Sequence, residues 1–221
     1  MTLTTTQATR PSSVPRLTLA LTRLGNLIVD PVAAFRDVAE CPTAGLAFVS
    51  LVAVRFGSLF LFYQPDVEPA RLVTGLVFQI VTVWPLTFVL TLLLWTSTLI
   101  LGVRAAWSAL YCTVVHVVFA HTLLTVAIAS VAGALLPATV DIDLRHPPFT
   151  NLGSLFGSDA QGVAHALFAE IDVRSAYALL LVWLGVRASV ADRNGWRAAQ
   201  VVGACMCVYL LLVTLSALMR S

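Results

Sequence analysis

Lysine is absent from this 221-residue chain, and all thirteen basic residues are arginine. Charge of either sign is scarce at 11% of residues, where a soluble domain carries about 25%. With 59% hydrophobic residues and a mean hydropathy of +0.91, that deficit excludes an ordinary soluble domain and gives an integral membrane protein. A net charge of +2, with no basic run and no aromatic-and-basic sheet signature, excludes nucleic acid as a partner. The missing lysine carries no mechanism beyond the fact that arginine stays charged when buried.

Other absences narrow the function. Cys41, Cys112, Cys205 and Cys207 show neither CxxC spacing nor a histidine partner, so they read as small buried hydrophobes and report no redox compartment. The first apolar patch, LTLALTRLGNLIV, is interrupted by Arg23 and lacks a following cleavage site, which argues against a cleaved signal peptide. A nucleophile arrangement, a Walker motif, HExxH and a Gly-rich dinucleotide loop are all missing. The expectation is therefore no enzyme, no cofactor and no metal. Internal repeats of the kind seen in many carriers are missing too.

Five apolar runs are present, long enough to cross roughly 30 Å of hydrocarbon. They cover about 44–63, 72–103, 105–136, 175–191 and 196–219. The second run breaks at Trp84-Pro85 into halves too short to span, so it reads as one long helix, tilted or kinked at the proline. The predicted fold is all-α, a polytopic bundle of five transmembrane helices over 42–221. A disordered tail covers 1–15, and interfacial helices over 16–41 lie along the cytoplasmic face. In that segment Leu17, Leu21, Leu24 and Ile28 recur at helical spacing and Pro31 opens VAAFRDVAE. Arg10, Arg16, Arg23, Arg36, Arg104, Arg187, Arg193 and Arg197 fall on one side of this layout. Arg71, Arg145, Arg174 and Arg220 fall on the other. The excess predicts a plasma (inner) membrane protein with its N-terminus cytoplasmic and its C-terminus external or periplasmic.

Arg55 stands in the middle of LAFVSLVAVRFGSLFLFYQP, about 13 Å from the nearer interface of an upright helix. A central arginine costs roughly 2.5–3.5 kcal/mol on insertion scales, so it calls for a partner or for snorkelling on a tilted helix. No Asp or Glu lies inside a predicted span. Partners within reach are Gln79, carbonyls freed at Pro85, a lipid phosphate, Glu170 or Asp172 if the outer connection dips inward, or a carboxylate on another subunit. Ala47, Ser50, Val54, Gly57 and Ser58 form a small-residue stripe about 120° from Arg55, which suits helix packing while the Arg face meets lipid. Gly195, Ala199, Gly203 and Cys207 make a second such stripe in the last span.

His116 and His121 are the ionisable side chains of the third run. Five residues apart, they stand about 140° from one another on a helix, which suits hydrogen-bonded structural histidines and not one chelated metal. Within the connection 137–174, Asp141, Asp143 and His146 read as a solvated acidic loop beside Pro147-Pro148. The stretch SDAQGVAHALFAEID puts Val163, Leu167, Phe168 and Ile171 on one face, as an interfacial helix would.

The order of elements, with DPVAAFRDVAECP (30–42), NLGSLFG (151–157) and AEIDVRSAYALLLVWLGVRASVADRNGWRAAQVV (169–202), resembles the prokaryotic branch of the Yip1-domain membrane proteins. The likeness covers most of the chain after residue 28 and implies a five-helix bundle with a cytoplasmic N-terminal region. One departure is Arg174-Ser175, where a more apolar or aromatic entry to the fourth span is expected. Some bacterial relatives look like accessory components of ABC-type export systems. The sequence thus points to a non-enzymatic accessory or assembly subunit that binds membrane proteins or lipids, with a homo-oligomer left open. The alternative is a small carrier or lipid-handling protein that uses Arg55 to hold an anionic group.

Overall fold

The computed structural model describes residues 16–62, 69–135, 172–190 and 195–219. The expected tail 1–15 and most of the outer connection, including Asp141, Asp143, His146 and Glu170, lie outside the described residues. All of the regular structure described is helical: α1 Arg16–Val29, α2 Pro31–Glu40, α3 Gly45–Phe62, α4 Pro69–Ile100, α5 Trp107–Leu135, α6 Val173–Ser189 and α7 Trp196–Leu218.

Local chemistry sets several boundaries. Asp30 caps α2, its carboxylate accepting the Ala33 N–H at 3.1 Å, and Pro31 occupies the first turn, where a missing N–H does no harm. α4 continues through Pro85. Thr87 Oγ1 donates to the Val83 and Trp84 carbonyls at 3.0 Å each, beside the point where the proline interrupts the ladder. Before α7 the chain turns at Gly195, whose φ of +71° an L side chain rarely adopts. Trp183 donates its indole N–H to the Gly195 carbonyl at 3.0 Å, tying α6 to this turn.

α5 is the central helix, touching α1, α2, α3, α4 and α6. One apolar cluster joins Leu27, Phe35, Val38, Leu51, Val117 and Leu181 on the side of α1, α2 and α3. A second joins Leu94, Leu110, Val114, Val186, Ala198 and Val201 between α4, α5, α6 and α7. Thr113 meets Gly185 and Arg174 meets Thr125, so α5 and α6 run antiparallel with the start of α6 well short of the Leu135 end of α5.

Val73–Ile100, Trp107–Ala132 and Trp196–Leu215 are long and apolar enough to cross a membrane. α4 and α7 expose Val73, Phe78, Val81, Trp84, Leu211 and Leu212, a surface that fits acyl chains and not water. The helices α3 and α6, of 18 and 17 residues, are shorter. The α1–α2 pair, expected along the cytoplasmic face, packs against the bundle. Its inner face is core, with Leu27, Ala34 and Val38 fully buried, while Leu21 and Ile28 of the predicted apolar stripe are 55% and 62% exposed.

Candidate functional site

Arg55 sits on α3 one turn after Leu51 and two after Ala47, both buried. These three positions share one face of the helix. The arginine therefore continues the face that α3 packs inward and is itself partly exposed. Its backbone carbonyl accepts the Ser58 hydroxyl at 2.8 Å. Among the described residues no carboxylate or carbonyl bonds its guanidinium. Gln79, a sequence-predicted partner, is buried on α4 with Oε1 unmatched among the described residues.

Asp172, a second proposed partner, is engaged elsewhere. It is the N-cap of α6, and Oδ1 accepts the Ser175 N–H at 2.5 Å. Oδ2 accepts from Arg174 Nε at 2.8 Å and forms an ion pair with Arg174 Nη2. Arg174 Nη1 reaches across to Thr125 Oγ1 on α5 at 3.3 Å, and that hydroxyl donates to the His121 carbonyl at 2.8 Å. The two charged side chains are only 2% and 5% exposed. Burial on its own would raise the Asp172 carboxyl; the Ser175 N–H and the Arg174 guanidinium outweigh it and hold the group below the usual carboxylate range. The sequence signal for this pair was the Asp-x-Arg-Ser entry to α6, in which cap and counter-ion lie within one turn.

The two histidines have different surroundings. His116 is 2% exposed, and its Nδ1 lies 2.7 Å from the Cys112 carbonyl. Since a carbonyl only accepts, Nδ1 carries the proton. His121 is partly buried and lies within electrostatic range of Arg174 and Asp172.

A further buried cation escapes sequence reasoning. Arg23, counted there among the cytoplasmic arginines, is 1% exposed. Its Nη1 donates to the Cys41 carbonyl at 3.1 Å and to Thr43 Oγ1 at 2.8 Å, and Nη2 donates to the Asp37 carbonyl at 3.2 Å. The guanidinium thus closes the C-terminal end of α2, where carbonyls and the helix dipole favour positive charge. Its Nε is unmatched among the described residues. The spacing shows an arginine breaking an apolar patch; only packing reveals that it faces inward.

At the other end of α5, Ala127, Ile128, Val131 and Ala132 line an apolar groove of about 320 Å³. No carboxylate, histidine or arginine converges on it among the described residues.

Comparison of the chain with protein-family models, with curated proteins and with solved structures finds no match.

Proposed function

We propose that this chain is a non-enzymatic integral membrane protein that works as an accessory or assembly subunit, binding other membrane components. In this reading α3 to α7 all cross the bilayer, with the N-terminus in the cytoplasm. The excess of arginine on that side supports the orientation. The observation that carries the binding role is Arg55: a permanent cation on an apolar helix, partly exposed, whose guanidinium has no counter-ion among the described residues. The buried pair Asp172–Arg174 is matched within the fold, whereas Arg55 is left to meet a carboxylate or phosphate brought by another component. The Yip1-domain resemblance favours the same architecture, and an ABC-type export system is the partner class it suggests.

Purification in mild detergent followed by mass spectrometry tests this. Reproducible recovery of a second membrane protein or an anionic lipid, lost from Arg55→Leu while the variant's yield and melting temperature are kept, is the expected result. A lone monomer without bound lipid in both preparations removes the reading. Under the carrier alternative, Arg55→Leu abolishes transport and leaves association intact.

A further inference from the structure

We infer that α1 and α2 form a re-entrant hairpin, immersed in the leaflet on the Trp107 side of the bundle and covered there by acyl chains. The inference rests on the membrane reading of α4, α5 and α7.

Polarity supplies the first argument. A helix lying on an aqueous surface turns its charges out and its aliphatic side chains in. α1 does the reverse. Arg23 is turned into the core at 1% exposure, while Leu21, Ile28 and Val29 are 55%, 62% and 85% exposed. Thr18, Thr22 and Gly25 complete the outward face, so none of its described positions carries charge. On α2 the exposed positions are Val32, at 49%, and then Arg36 and Glu40 toward its Cys41 end. Asp30, exposed at the turn, is held against the first turn of α2 by the Ala33 N–H, where the helix dipole favours its charge.

Depth supplies the second, independently. Phe35 packs beside Gly185 and Thr113, and Thr113 belongs to the apolar stretch Trp107–Ala132 of α5. Near the tip, the Tyr177 hydroxyl donates to the Leu27 carbonyl at 3.1 Å. Tyr177 lies about 18 Å along α6 from its Ser189 end. The hairpin therefore rises from the Trp107 end beside membrane-crossing helices, and the outer face of α1 is placed where acyl chains have matching chemistry.

Spin labels at Ile28→Cys and Val29→Cys test this in the full chain, with the four native cysteines replaced by alanine, reconstituted in phosphatidylcholine–phosphatidylglycerol vesicles. Labels at Val81→Cys on α4 and Leu212→Cys on α7 serve as membrane references. The expected result is oxygen collision at 28 and 29 matching the references, with loss of collision with a water-soluble nickel chelate. Nickel access at 28 and 29 while the references stay shielded overturns the hairpin proposal alone; nickel access at all four sites overturns the membrane reading itself. Shielding from both agents at 28 and 29 means protein covers the face and also overturns the proposal. Should the cysteine-free chain not fold, Val29→Trp in the otherwise unaltered chain, reconstituted in brominated lipid, decides the matter. Quenching of the added fluorescence supports immersion, and its absence overturns it.

Discussion

Gly185 on α6 faces Thr113 on α5 so closely that a methyl group on the glycine would overlap the Thr113 side chain and stand 3.0 Å from Phe35 Cδ1. This contact fixes the α5–α6 register and seats α2 against both helices. Gly185→Ala is expected to cost about 1–3 kcal/mol, the usual range for overpacking a well-filled core. A lowered melting temperature in detergent would show it. Thr113→Ser in the same chain, which removes the overlapping Cγ2, is expected to restore part of the loss.

The Asp172–Arg174 pair invites a double-mutant cycle. Asp172→Asn keeps a capping side chain but removes the carboxylate that accepts Arg174 Nε and pairs with Nη2, a change expected to cost about 3–5 kcal/mol. Arg174→Met together with Asp172→Asn should cost less than the sum of the single changes, because the two partners of one interaction are removed together. Equal additive losses would mean that the pair is not coupled. The pH dependence follows from the lowered Asp172 value. Stabilisation by the pair is complete above the ordinary aspartate value of 3.8 and is lost as the pH falls through the depressed one.

Arg23 ties α1 to the end of α2 and to Thr43 in the connection that follows. Arg23→Met keeps much of the side-chain volume and removes three hydrogen bonds from a charged donor group, each worth about 1.5–3 kcal/mol at most. The loss should be local. Limited proteolysis is expected to cut within 16–41 first, while the rest of the bundle remains protected. Unchanged protection of this segment would show that Leu27, Phe35 and Val38 suffice to hold it.

Gly195 joins α6 to α7. Gly195→Ala forces a Cβ into a backbone with φ of +71° and to within 2.7 Å of Trp183 Cζ2, a combination expected to cost about 1–3 kcal/mol. Trp183 fluorescence reports on the change directly, since its indole N–H bonds the same residue. Trp183→Phe should relieve the clash and keep the conformational strain, so the double variant recovers only in part.

Apolar run lengths and the scarcity of charge were enough to read an all-helical membrane protein, because a bilayer requires each spanning segment to satisfy its own backbone and to hide almost every charge. Three long apolar helices appear where such runs occur, and α4 passes unbroken through Pro85. Which way each polar side chain turns was not legible. Periodicity around α1 offered Leu17, Leu21, Leu24 and Ile28 as the apolar stripe of an interfacial helix; the fold leaves Leu21 and Ile28 exposed and buries Arg23 and Leu27. In lipid both faces of a helix tolerate leucine, so apolar spacing does not say which one packs.

Asp172 shows the same division at the candidate sites. The order of residues alone determined that Arg55 is a lone cation in an apolar stretch, since charge and hydropathy are properties of the chain itself. The choice of Arg174 and not Arg55 as counter-ion to Asp172, and of backbone carbonyls as the partners of Arg23, was made by the tertiary structure. A guanidinium bonds whatever the neighbouring helices bring within about 3 Å, and that distance is set by packing registers such as Gly185 on Thr113.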